Sequence, residues 1–362
     1  MKTTLYLLNV GHGDSLVLKF EEGDDLVKWG VIDCHKPAAN STSSTLKLLV
    51  ENNVSNLEFI CLTHPDYDHF SGLEELLNYF SDKQKTEFKF YDYGLNVLKI
   101  TASLSSKREK SEFSKLYGLV CSLQSKNKLE YLPLSVEQSI FKCGNNSVIS
   151  LGPYGKDTTS FSKQAGKRLQ TFNLNSNSKF KDVDKNLLSV VIVIKCESSN
   201  IILCSDATTK NIEYSLQKWR NKFNSNYQFD FIKVSHHGSK TNHHAGLFKD
   251  FSNHSKSFAG ISAGDHYKLP NQEVVSDIIG QEVLLYSTNY SGDLKNMFLF
   301  PENNSNIAGI KEYKIEEGLN QVSDLIPPLT PLHGMISFID DGQYISIHTE
   351  YQHNPINAYL LP

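Results

Sequence analysis

The sequence has no apolar run long enough to cross a bilayer. The longest, LLSVVIVI at 187–194, is far short of the roughly 20 residues a spanning helix needs. Nor does any opening segment show the charged, apolar and small-residue order of a signal peptide. These absences set the expectation of a soluble, cytoplasmic protein without membrane contact. Six cysteines, at 34, 61, 121, 143, 196 and 204, never form a CxxC pair. Cys61 in FICLT and Cys204 in IILCSD lie inside strand-like apolar runs, so buried free thiols are expected rather than disulfides or thiolate metal sites. Arginine is scarce: Arg108, Arg168 and Arg220 are the only three, and the formal net charge is −4. That balance argues against a dedicated basic nucleic-acid binder. Lysines 107, 110 and 115, 163 and 167, and 210, 218 and 222 are candidates for a backbone-binding groove, although solvated faces explain them more simply. No internal repeat of fixed period is present.

What the sequence does contain is 362 residues, 39% of them hydrophobic, enough for one elaborated domain or two smaller ones. TLYLLNVGHGDSLVLKF reads as two strands around a Gly-rich turn, and WGVIDC as a third strand. STSSTLKLLVENN has helical spacing, and the strand EFICLT follows it. SGLEELLNYF reads as a helix opened by an S-x-x-E capping box, Ser71 with Glu74. KREKSEFSKLYGLVCSLQSKNK suggests an amphipathic helix, whereas the polar tract GKDTTSFSKQAGKRLQTFNLNSNSKFKDVD is expected to be a long exposed loop. LLSVVIVIKC, NIILCSD and FDFIKVSHHGS read as strands, and MISFIDDGQYISIHT as a closing hairpin with a DG turn.

Between EFIC and the SGLEELL helix lies LTHPDYDHFSG at 62–72, which holds His64, Asp66, Asp68 and His69 within six residues. Loops gather Asp, Pro and His in any case, so each residue alone suggests only a polar turn. The cluster gains meaning from other polar residues that end predicted strands: Asp33, Asp206, and the pair His236 and His237. Groups at strand ends converge on one edge of a layered α/β fold. The four of the loop, one further carboxylate and one further histidine make six candidate ligands, which suit two divalent ions that share a bridging carboxylate.

On LLNVGHGDSLVL (7–18), WGVIDC, LTHPDYDHFSGL, NLLSVVIVI, IILCSDA (201–207), IKVSHHGSKT (232–241) and GMISFIDDGQYISI, the chain resembles the metallo-β-lactamase superfamily, and within it the ComEC/Rec2-type hydrolase branch of DNA-uptake proteins. The resemblance spans nearly the whole chain. It implies one αββα four-layer sandwich over 1–362, elaborated near 82–137, 154–185 and 291–333. It places His64 and Asp66 on one metal, Asp68 and His69 on the other, and Asp206 between them. His236 or His237 would close the site, and Asp33 and Asp14 would orient the loop by hydrogen bonds.

Three departures stand out. Asp66 occupies a position that is histidine in many superfamily hydrolases. No histidine lies between His69 and His236, so the mid-chain histidine ligand is absent and the first metal lacks an identified third ligand. The stretch expected to read Tyr-Gly-His-Pro reads Tyr267-Lys268-Leu269-Pro270, with Lys268 as a cationic substitute for a substrate-facing histidine. The oxygen-richer site leaves room for Mn²⁺ beside Zn²⁺. The expected activity is phosphodiester hydrolysis, plausibly of nucleic acid. Metal-activated hydroxide would attack phosphorus, Lys268 would offset charge, and whichever of His236 and His237 is not a ligand would protonate the leaving oxygen. Two alternatives stay open: hydrolysis of another ester or thioester on the same fold, and a sensor or partner-binding subunit with a degraded site. A protein partner and the oligomeric state are not legible in the sequence.

Overall fold

The computed structural model describes residues 1–23, 26–38, 41–84, 86–93, 107–172, 183–222, 227–264, 267–289 and 335–349. The elaboration expected near 291–333 lies outside them. In chain order the first strands and helices are β1 (Lys2–Leu7), β2 (Ser15–Glu22), β3 (Leu26–Cys34), α1 (Ser44–Glu51), β4 (Phe59–Cys61), α2 (Tyr67–Phe70), α3 (Leu73–Lys83) and β5 (Phe88–Asp92). Then come α4 (Lys107–Ser125), β6 (Leu129–Pro133), β7 (Ser139–Cys143), β8 (Asn146–Ser150), α5 (Gly155–Phe172), β9 (Ile192–Lys195) and β10 (Asn200–Leu203). The remainder is α6 (Thr209–Lys222), β11 (Phe231–Lys233), α7 (Ala245–Phe251), β12 (Phe258–Ile261), α8 (Gln272–Gly280), β13 (Leu284–Ser287), β14 (Ile336–Asp340) and β15 (Ile345–Thr349).

These strands form two sheets, ordered β15-β14-β1-β2-β3-β4-β5-β6 and β13-β12-β11-β10-β9-β8-β7. In the first, β3 to β6 run parallel to one another; in the second, β10 to β13 do. Parallel neighbours need crossovers, and α6, α7 and α8 supply those of the second sheet. The period-2 alternation of side chains sorts each strand between two apolar layers. Ile201 and Leu203 of β10 face the first sheet, where they meet Leu5, Leu18 and Phe59, while Ile202 between them faces Leu216 of α6 and Phe248 of α7. Across the first sheet, Ile32 points inward and Val31 outward, toward Leu49 of α1, Leu76 of α3 and Phe113 of α4. The result is helix, sheet, sheet, helix: the αββα sandwich expected from the sequence.

Two local expectations are corrected. The tract expected to be a loop forms α5 over Gly155–Phe172, because Phe161 and Ala165, four apart, bury one stripe against Val183 and Leu188. The helix α3 begins at Leu73 behind Gly72, with no side-chain cap. Ser71 is not its cap; the hydroxyl instead accepts from the Lys36 amide at 2.9 Å and meets His35 Nδ1 at 2.9 Å, tying the loop to the end of β3. Among the described residues, no helix is long and apolar enough to cross a membrane.

Candidate metal centre

The site lies where β3, β4, β10 and β11 end, at the carboxyl edge of the parallel strands, where open α/β sheets hold their ligands. The strand β4 delivers His64. Asp66 then precedes α2, a single helical turn that carries Asp68 and His69. From the other sheet, Asp206 follows β10, and His236 and His237 occupy a 3₁₀ turn over Ser235–Gly238. Both histidines take left-handed φ values, 48° and 53°, which non-glycine residues rarely adopt. The turn thereby points both rings toward Asp206: His236 Nε2 lies 3.7 Å from Asp206 Oδ2 and His237 Nε2 3.8 Å from Oδ1.

Two groups of ligand atoms result. His64, His69 and Asp206 form the first, with Nε2 of His64 and His69 at 3.7 and 3.6 Å from Asp206 Oδ2. Asp66 Oδ2 adds to it, 3.4 Å from His64 Nε2. His12, Asp68 and His237 form the second, with Asp68 Oδ2 at 3.4 Å from His12 Nε2 and 3.5 Å from His237 Nε2. The expected division put His69 with Asp68; the geometry groups His69 with His64, and Asp68 with His237. Asp206 stands between the groups with one oxygen toward each.

These separations are too long for good hydrogen bonds. They match two atoms that each sit about 2.0 Å from one tetrahedral ion, which lie about 3.3 Å apart. Nε2 of His64, His69 and His237 and Oδ1 of Asp206 are buried without a hydrogen-bond partner. Orphaned buried polar atoms are costly, and four converging on one place fit a cation. The opposite ring nitrogens are all engaged: His69 Nδ1 by Asp33 Oδ2 at 2.7 Å, His237 Nδ1 by the Ser262 carbonyl at 3.0 Å, His236 Nδ1 by Asn242 Oδ1 at 2.9 Å, and His64 Nδ1 by Ser205 Oγ at 3.3 Å. Outer partners of this kind fix the tautomer that aims Nε2 inward.

Electrostatics follow the geometry. Burial alone would raise the carboxyl of Asp206, but His236, His237 and His69 hold it well below the usual carboxylate range. Burial would likewise raise Asp68, which the neighbouring His237 and His69 pull down. Burial would discharge His69, and Asp206 and Asp33 raise it well above ordinary histidine. Beneath the site the fully buried Lys233 pairs with the Asp14 carboxylate at 2.5 Å, while the Asp14 amide donates to the Asp68 carbonyl at 3.1 Å and so holds the ligand loop. Asp33 does orient that loop, accepting from the Thr63 amide at 2.7 Å and the Thr63 hydroxyl at 2.5 Å.

Two residues at the site went unassigned in the sequence. His12 lies in the turn between β1 and β2, held close by Gly264, where an added Cβ would fall 2.0 Å from the His12 amide nitrogen. Lys185 lies in a 3₁₀ turn, Lys185–Leu188, with Nζ at 2.8 Å from Asp66 Oδ1 and 3.3 Å from Glu109 Oε1. His12 was in view in the GHGD turn; Lys185 sits in a polar tract that carries no signal. Lys268, expected to face substrate, is exposed and does not line the cavity over the centre, whereas its neighbours Tyr267 and Leu269 do. His243 and His244 are structural: His243 pairs with Asp277 at 2.6 Å, and the His244 ring accepts from the Leu247 amide to cap α7. That cavity, about 870 Å³, exposes His12, Asp66, Asp68, Asp206 and His236 at its floor and is flanked by Tyr67.

A four-layer αββα sandwich with a histidine–aspartate centre at one edge is the metallo-β-lactamase fold. Solved structures similar to the chain include the metallo-beta-lactamase fold protein YhfI of Bacillus subtilis, at 9% identity over 79% of this chain and 96% of that one, TM-score 0.43. Zn²⁺-bound PqqB of Methylobacterium extorquens shares 8% identity over 79% of this chain and 98% of that one, TM-score 0.44. A long-form RNase Z from yeast shares 12% over 73% of this chain and 36% of that one, TM-score 0.39. No protein-family model and no curated protein matches the sequence.

Proposed function

We propose that the chain is a metal-dependent hydrolase that cuts phosphodiesters, with nucleic acid as its substrate, of the ComEC/Rec2-type branch. The observation that supports it most directly is the convergence of three buried, unpartnered imidazole nitrogens, from His64, His69 and His237, on Asp206, whose Oδ1 is itself without a hydrogen-bond partner. His64, Asp66 and His69 would hold one divalent ion and His12, Asp68 and His237 the other, with Asp206 shared. The mixed imidazole and carboxylate set suits Zn²⁺ or Mn²⁺. Divalent ions there supply an acidified water at neutral pH and neutralise charge on phosphoryl oxygens.

The protein's own groups do the rest. Of the adjacent pair, His236 lines the cavity, while His237 is fully buried. With its Nδ1–H held by Asn242 Oδ1, His236 would act as the acid from its doubly protonated form, passing the Nε2 proton to the leaving oxygen and returning to the neutral Nδ1–H tautomer. Tyr67 and Tyr267 offer ring faces to a substrate base. Protein stripped by chelator should be inactive and should recover cleavage of bis(p-nitrophenyl) phosphate and of DNA with Mn²⁺ or Zn²⁺. Turnover of thioesters with none of phosphodiesters would overturn the assignment. For DNA, KM should climb steeply with salt as lysines release counterions; a flat profile would remove the nucleic-acid part.

A further inference from the structure

The two halves of the centre are not equivalent. Asp68 Oδ2 faces two imidazoles, His12 and His237, and Asp206 faces four. Asp66 is different: Oδ2 turns toward His64, but Oδ1 is taken by the ammonium of Lys185 at 2.8 Å. Among the described residues, Lys185 is the one lysine or arginine in ion-pair contact with any of these three carboxylates. Its side chain is only 16% exposed and is bracketed on the far side by Glu109, at 3.3 Å. The backbone holds it there as well. Lys185 opens a 3₁₀ turn capped by Asp184, which accepts from the Asn186 amide at 3.1 Å, and Asn186 Nδ2 lies 3.4 Å from His236 Nδ1.

We propose that Lys185 is a resident cation of the centre that weakens the divalent site on the His64–Asp66 side, so that the two ions bind with distinct affinities. This rests on the reading of the site as a two-ion centre. The physical basis is charge. An ammonium on one oxygen of Asp66 withdraws that oxygen from coordination and repels a cation on the other. Like charges a few ångströms apart in a partly buried site change binding by about tenfold or more. Among the described residues no lysine or arginine forms an ion pair with Asp68, and the buried Lys233 below His237 is neutralised by Asp14 at 2.5 Å, so the half built from His12, Asp68 and His237 binds first. Glu109 sets the strength of the effect, because it shares the ammonium and relieves part of the charge on Asp66.

Calorimetric titration of chelator-stripped protein with Mn²⁺ or Zn²⁺, with metal content measured after dialysis, tests this without reference to turnover. The wild-type protein should bind in two steps, the second at least about tenfold weaker, and dialysis should leave about one ion per chain. Lys185→Met should tighten the second step by about tenfold and leave the first unchanged, while Lys185→Arg should keep the wild-type pattern. Glu109→Gln should weaken the second step further. A lysine that merely supported the loop would act in the opposite direction, since its loss would loosen the site and weaken binding. Two equal steps in wild type, or a second step in Lys185→Met that is unchanged or weaker, would overturn the inference and leave the two-ion reading standing. Should Lys185→Met fail to fold, Glu109→Gln decides: an unchanged or tighter second step overturns the proposal. No binding by the wild-type protein would sink the two-ion reading and this inference together.

Discussion

His69 and Asp33 are both fully buried, and Asp33 Oδ2 holds His69 Nδ1 at 2.7 Å, which turns Nε2 toward Asp206 at 3.6 Å. Asp33 also anchors Thr63 through its amide and hydroxyl, so one carboxylate at the end of β3 fixes both the backbone and a ring of the neighbouring loop. The family resemblance implies an orienting role for this strand-end carboxylate, and the distances give that role its targets.

Replacing Asp33 by Asn keeps the shape but leaves one oxygen where two are used. Either Thr63 or His69 then loses its acceptor. Loss of an outer partner to a metal-binding histidine costs about 10- to 100-fold in affinity. Asp33→Asn should therefore weaken metal binding on the His64–His69 side by that factor, measured by chelator competition, with far-ultraviolet circular dichroism unchanged. Wild-type affinity in a folded variant would show that Asp33 does not orient His69.

A second prediction concerns pH. His35 is buried beside the site, and burial lowers it from 6.5 to about 4. The folded protein thus keeps the ring neutral, while the unfolded chain takes up a proton near 6.5. The stabilisation is complete above that value and is lost as pH falls toward 4. Between pH 7.5 and 5 this amounts to roughly 2 kcal/mol. Urea denaturation of metal-free protein at both pH values should show a smaller acid loss in His35→Gln, by about that amount. An equal loss in both proteins would mean that His35 is not what the acid titrates.

Much of the architecture was legible because it rests on alternation. Ile201, Ile202 and Leu203 announce a strand buried on both faces, and the ligand loop sits between EFIC and SGLEELL, where a strand hands over to a helix. What escaped depends on contacts remote in sequence. Lys185 meets Asp66 across more than a hundred residues, and nothing in KFKDVDKNLL marks the lysine as paired. The helix α5 buries only a thin stripe around Phe161 and Ala165, too few apolar residues to stand out in a polar tract. Ser71 matched the capping pattern, yet Lys36 and His35 compete for its hydroxyl and win. The family resemblance implies a substrate contact at Lys268, but its side chain is exposed and takes no part in lining the cavity.

His12 gives the sharpest test of how the two groups divide. Its Nε2 lies 3.4 Å from Asp68 Oδ2, its ring is 4.3 Å from that of His237, and the side chain is 13% exposed. Glutamine at this position preserves length and polarity but replaces an imidazole donor with a poor one. If His12, Asp68 and His237 hold one ion, His12→Gln should weaken that binding step by about 10- to 100-fold and lower phosphodiester turnover with it. The step on the His64–His69 side should be untouched, because His12 groups with Asp68 and His237. Lys268→Ala is the control: with an exposed side chain outside the cavity, it should retain near wild-type metal binding and turnover of bis(p-nitrophenyl) phosphate. Loss of the other step in His12→Gln, or two unaltered steps, would exclude His12 as a ligand and leave Asp68 and His237 to complete that half with Asp206.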